Sequence, residues 1–155
     1  MAISLSTPIT GSAQTGLTTP TYTITADVAP NINGKQWAVT ALGGTQTGVS
    51  THTVSDPFTI TFSRPSTFKA LGKPDPVTGV VKSVPMNVYK GIVRKGMLPL
   101  AGQAYAVGLV RTEISIPAGA DTYSAPELRA MLSAYIGAIT QVSAGLGDTC
   151  ASGII

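Results

Sequence analysis

His52 is the single histidine of the chain and Cys150 its single cysteine, so the residues that most often carry covalent chemistry are few and far apart. A nucleophile needs a base within hydrogen-bond reach, and nothing in the stretch "THTVSDPFTITFSRP" (51 to 65) offers His52 such a partner. Structural zinc takes four Cys or His ligands at characteristic spacing, and no such spacing occurs. The seven acids are scattered, so a catalytic pair of carboxylates would have to be assembled entirely by the fold. "GGTQTG" (43 to 48) and "GLGDT" (145 to 149) lack the lysine of a phosphate loop and read as turn glycines. Neither an enzyme nor a metal, cofactor or small-molecule site is expected. Cys150 cannot form an internal disulfide and reads as a free thiol or a contact between chains.

The cations are a different matter. Eight of the ten lie between Phe58 and Glu113: Arg64, Lys69, Lys73, Lys82, Lys90, Arg94, Lys95 and Arg111. Only Asp75 and Glu113 oppose them there, so the net charge of +3 understates a local basic surface. In extended chain, alternate residues share a face. Val88, Lys90, Ile92 and Arg94 then lie on one side of their strand, with Tyr89, Val93 and Lys95 on the other. On the next strand Tyr105, Val107, Leu109, Arg111 and Glu113 share a side, which Lys90 and Arg94 could continue. Such a row suits phosphate groups. A solvated face that needs some charge for solubility is the plainer reading of the same residues.

The elements that would position this row are mostly strands. "TYTITADV" (21 to 28), "KQWAVTAL" (35 to 42), 51 to 65, "VVKSVPMNVYKGIVRK" (80 to 95) and "AYAVGLVRTEISIP" (104 to 117) carry period-two or β-rich patterns, separated by Gly- and Pro-containing turns. Asp56-Pro57 predicts a bend, and Pro85 an edge or kink. Short connections imply antiparallel pairing. The first 20 residues, broken by Pro8, Gly11, Gly16 and Pro20, suggest a hairpin or arm. A helix is predicted over about 124 to 143, with Ser124 as N-cap, Pro126 in the first turn and Glu127 favoured by the macrodipole. Residues 144 to 155 read as a tail. The expected class is α+β: an N-terminal β-hairpin, an antiparallel sheet of about five strands over 35 to 117 together with the preceding strand, then a C-terminal helix and possibly a second, in one domain spanning 1 to 155.

That helix poses a problem of cover. Leu128, Met131, Leu132, Tyr135, Ile136 and Ile139 fall at helical spacing, yet the remaining faces carry Ala130, Ser133, Ala134, Gly137 and Ala138 where a solvated helix would carry charge. The last strand offers a face of Ala104, Ala106, Gly108, Val110, Thr112, Ile114 and Ile116, small at one end and branched at the other. One helix of about four turns cannot cover a whole sheet, and a second copy of the chain is the economical cover. Leu128, Met131, Leu132, Ala134, Tyr135, Ile136 and Ile139 are thus the expected dimer interface. A monomer in which residues 1 to 50 fold back over the helix is the alternative.

Charged residues make up 11% of the chain, against about 25% in ordinary globular proteins, and such a surface is poorly protected against association. The first residues show neither the basic leader nor the apolar core of a secretory signal, and no stretch reaches the roughly 18 apolar residues of a membrane span. A soluble chain made in the cytoplasm is expected.

Strands in a meander, "DPFTITFSRP" (56 to 65), "TEISIP" (112 to 117), "PAGADTYSAPELRAML" (117 to 132) and a terminal "SGII" together resemble the coat proteins of single-stranded RNA bacteriophages. The resemblance covers most of the chain in element order and is sharpest from Thr112 onward. It implies a dimer whose sheets join edge to edge, C-terminal helices interlocked between partners, and an icosahedral shell with helices outward and sheet inward, facing the genomic RNA. The virion is the implied destination. Arg111, Lys90, Arg94, Lys82 and Lys95 are the expected RNA-binding residues, and residues 96 to 103 match the loop that gathers at symmetry axes. Leu109 stands where the family carries a stacking aromatic, a departure from base-specific hairpin recognition and the translational repression that goes with it. Two other classes fit parts of the pattern: a secreted or surface β-sandwich of the fimbrial or adhesin kind, and a small RNA-binding regulator that never assembles.

Overall fold

The computed structural model describes residues 3–155; of the expected N-terminal arm, Met1 and Ala2 lie outside them. The chain forms one antiparallel meander in the order β1 (Ile9–Thr10), β2 (Thr18–Asp27), β3 (Gly34–Thr45), β4 (Phe58–Ser63), β5 (Met86–Met97) and β6 (Ala106–Pro117). Each strand pairs with its neighbour in sequence. Three helices follow: α1 (Ala120–Tyr123), α2 (Ala125–Gln141) and α3 (Ser143–Ser152). The α+β class, the N-terminal hairpin and the C-terminal helices agree with expectation. Among the described residues there is a single sheet, which sets aside the β-sandwich.

Register divides the sheet into two chemically distinct faces. Trp37 pairs with Ile60 and Ile60 with Val93, and this side also carries Ile24, Val39, Phe58 and Phe62. Edge-to-face contacts join Tyr22 to Phe58 and Trp37 to Phe62, with ring centroids 5.7 and 6.3 Å apart. The opposite side carries Thr25, Gln36, Thr59, Thr61, Lys90, Arg94 and Arg111. The core is thin. Val39 is fully buried and Ile24 nearly so, but Val110, on the apolar side of β6, is 67% exposed.

The structure departs from the sequence reading at three elements, the first being residues 80 to 85, which lie in the loop before β5 and not in a strand. Only the second half of the stretch from 51 to 65 is strand. Residues 46 to 57 form a folded loop that substitutes for β4 beside the upper half of β3: the His52 amide donates to the Val39 carbonyl at 2.8 Å, and His52 Nδ1 accepts the Phe58 amide at 3.0 Å. Backbone partners are thereby supplied without a strand. The expected tail contains α3, despite Gly145 and Gly147. Tertiary contact with the N-terminal turn offsets the poor helix propensity of those glycines. Ser124 does occupy the N-cap of α2, with Pro126 and Glu127 in the first turn, but its hydroxyl makes no capping bond.

One ionic cluster fixes the loop to the sheet. The buried Asp56 carboxylate accepts from Lys95 Nζ and from the Ser50 hydroxyl, while Lys95 Nζ lies 5.4 Å from the Phe58 ring centroid. Gly96 makes this approach possible, because a Cβ there would stand 3.0 Å from Asp56 Cα. Burial by itself would raise the Asp56 carboxyl, but Lys95 and Ser50 together outweigh it and hold the group below its ordinary range. A carboxyl depressed on folding stabilises fully above its unfolded value of about 3.9, and the contribution is lost as pH falls through the lower folded value. Chemical denaturation should therefore show constant support from this cluster at pH 5 to 7 and its loss only under strongly acid conditions. Asp56→Asn should cost about 3 kcal/mol at pH 7, by stranding the Lys95 charge, and should flatten that acid limb.

Candidate nucleic-acid interface

Three cross-strand rows make up the polar face. One runs Leu109, Arg94, Thr59, Ala38, Thr25; the next Arg111, Ile92, Thr61, Gln36, Asp27; the third Glu113, Lys90, Ser63, Gly34. Arg111 therefore sits diagonally between Lys90 and Arg94. Cross-strand diagonals are spaced by about 7–8 Å, within the reach of three long side chains converging on neighbouring phosphates. Lys90 and Arg111 are exposed and Arg94 is half-buried. Among the described residues no carboxylate lies within 4.0 Å of any of the three cations, although Glu113 is directly opposite Lys90 in the ladder.

Across the middle of the face the side chains hydrogen-bond to one another. Thr61 Oγ1 donates to Gln36 Oε1 at 2.8 Å, and Gln36 Nε2 donates to Asp27 Oδ2 at 2.6 Å. The Gln36 amide, followed by the Val28 backbone amide, holds the Asp27 carboxyl below its ordinary value. Asp27 thus keeps a negative charge at the β2 margin while the positive charge is concentrated on β5 and β6. Thr59 is buried between Ala38 and Arg94, and its hydroxyl has no partner among the described residues. Sequence reasoning singled out none of Gln36, Thr59 or Thr61. The alternation of "FTITFS" was the available signal, since its threonines had to face away from Phe58, Ile60 and Phe62.

Two of the five expected RNA-binding residues lie elsewhere. Lys95 projects from the apolar side and is committed to Asp56 and Ser50; period-two spacing separated it from Lys90 and Arg94, and its inclusion with them is corrected. Lys82 lies off the sheet in the loop between β4 and β5, exposed, with Asp75 at 3.1 Å.

The helical residues expected at the interface are brought to one place. Leu128 and Leu132 are half-buried toward β6, Met131, Tyr135, Ile136 and Ile139 are between 40% and 62% exposed, and Ala134 is exposed. No residue of α2 is buried. Between α2 and β6 lies an open groove of about 290 Å³ lined by Thr112, Ile114, Met131, Leu132 and Tyr135 among others, with Thr112 Oγ1 and the Tyr135 hydroxyl 3.4 Å apart.

No family model matches the sequence, and no curated protein does. Among solved structures, the virus-like particle of Beihai levi-like virus 32 aligns at 17% identity and a TM-score of 0.45, over 86% of this chain and 88% of that one. The virus-like particle of bacteriophage ESE020 is far more similar: TM-score 0.97 and 59% identity, covering 99% of this chain and 100% of the other. With that identity sustained over its full length, on a meander sheet that carries its helices C-terminally, the chain belongs to the levivirus-like family of coat proteins of single-stranded RNA bacteriophages.

Proposed function

We propose that the chain dimerises through its α2 arm and β6 edge, and that the dimers assemble into an icosahedral shell around single-stranded RNA. Its role is structural, not catalytic, and its place is the virion, after synthesis in the cytoplasm of a bacterial host. One observation carries the RNA part of this reading: Lys90, Arg94 and Arg111 cluster without carboxylate partners on the polar face of the sheet, opposite the side with the aromatic core. Pairing two copies at β6 would bring both cationic halves together at the centre of a continuous surface, with each Asp27 at its outer margin. Phosphates would then bind centrally and the Thr-lined middle would contact bases or sugars. A hairpin bound to repress translation would use the same surface, though Leu109 gives it no aromatic face for stacking.

Electron microscopy of the protein expressed alone, with the 260/280 nm absorbance ratio of the same fraction, tests the assembly directly. Uniform spheres rich in nucleic acid are expected; a small species free of nucleic acid would overturn the reading. Replacing Lys90, Arg94 and Arg111 together by Ala should leave folded dimers whose RNA affinity depends less steeply on salt. The slope of log K against log salt should fall by about 2, for three phosphate contacts at about 0.7 each on a single strand. Lys82→Ala, away from this row, should leave the slope unchanged. Ala134→Glu should weaken dimerisation by about a hundredfold or more in sedimentation experiments, since it forces a charge into an apolar contact.

A further inference from the structure

The α2–α3 arm buries almost nothing of its own. Among the described residues Ser143 is the single buried position of α2 and α3, and it is not apolar. At its near end the arm is held by Ala118, buried, whose amide donates to the Pro85 carbonyl at 2.9 Å. At the far end, Ser143 lies against the N-terminal turn. Ser143 Oγ donates to the Ala13 carbonyl at 2.8 Å, Gln14 Nε2 donates to the Ser143 carbonyl at 2.8 Å, and Thr15 Oγ1 donates to Asp148 Oδ2 at 2.9 Å. Gly147 faces the same Gln14 side chain, and any Cβ there would collide with its amide oxygen.

We propose that residues Ala13–Thr15 and Ser143–Asp148 form a latch that holds the helical arm off the sheet in the dimer-ready position. The groove along β6 is then kept open for the second copy. The inference rests on the dimer proposed above. A helix with only Leu128 and Leu132 half-buried has little apolar contact to fix its direction, so a few directed polar bonds at its distal end carry much of that task. Ordering the arm in advance removes that entropic cost from association. The latch also accounts for a glycine inside α3, where intrinsic propensity disfavours it: the position must leave room for Gln14.

Gly147→Ala separates the latch from helix stability. Alanine is the better helix former, and the displaced atom is the end of a flexible side chain, so the fold should survive. The Gln14 bond to Ser143 should not. Amide hydrogen exchange over residues 143–152 of the full chain, read by mass spectrometry, should accelerate about fivefold or more despite the gain in propensity. The dimer dissociation constant should rise by a similar factor. Gln14→Ala, which leaves α3 untouched, should reproduce both effects. Unchanged exchange in both variants would overturn the latch. Faster exchange with an unchanged dissociation constant would overturn its role in preparing the dimer. A wild-type chain that remains monomeric at every concentration would instead overturn the coat reading on which the occupant of the groove rests.

Discussion

A single twisted sheet has two faces and can be dry on only one of them. Here Tyr22, Trp37, Phe58, Ile60 and Phe62 commit one face to the dry side, and threonines with cations make the other polar. Nearly everything else is arranged around how that dry side is covered. The loop of residues 46 to 57 closes the top of β3, and the Asp56–Lys95 pair locks it there. At the other edge α1 and α2 cover β6 only in part, and Val110 stays two-thirds exposed. The arm that could lie over such a face stands beside it, with Met131, Tyr135 and Ile136 in the open. A monomer of this shape leaves a continuous apolar surface unburied, whereas isolated soluble chains seldom expose one of any size.

Much of this was legible in the residues. Period-two alternation allowed Arg111 to share a face with Lys90 and Arg94, and the ladder puts the three on one face, since a one-residue slip would have moved every apolar side chain to the wet side. The uncharged faces of α2 signalled a missing cover, and the helix indeed buries none of its residues. Other features were invisible for identifiable reasons. The first half of 51 to 65 alternates like a strand, but its backbone partners come from His52, Thr53 and Asp56 in local turns. Such bonds depend on side-chain placement that a two-residue period does not encode. α3 was hidden by its glycines, because the contact that compensates for them lies some 130 positions away in sequence.

Lys95 illustrates the limit most clearly. By composition it belongs to the basic cluster, yet a cation on an apolar face has to be paired or expelled, and Asp56 pairs it. What separates a lysine of the polar face from a structural one here is a single residue of register. Neither count nor charge density carries that information.

Charge scarcity follows from the same division of labour. A chain with 11% charged residues has little electrostatic protection, so its surfaces must be either covered or few. Two of the cations are held by Asp56 and Asp75, and three converge on the polar face near β6. In the proposed shell a modest positive charge per copy would be enough, since contacts to RNA would add over many copies. A larger charge per copy would strengthen the repulsion between copies that such a shell has to bring together. A small unpaired cluster on a neutral, Thr-rich sheet is the arrangement that lets weak contacts sum. It would also leave the proposed dimer contacts apolar, where no counterion has to be displaced for two copies to meet.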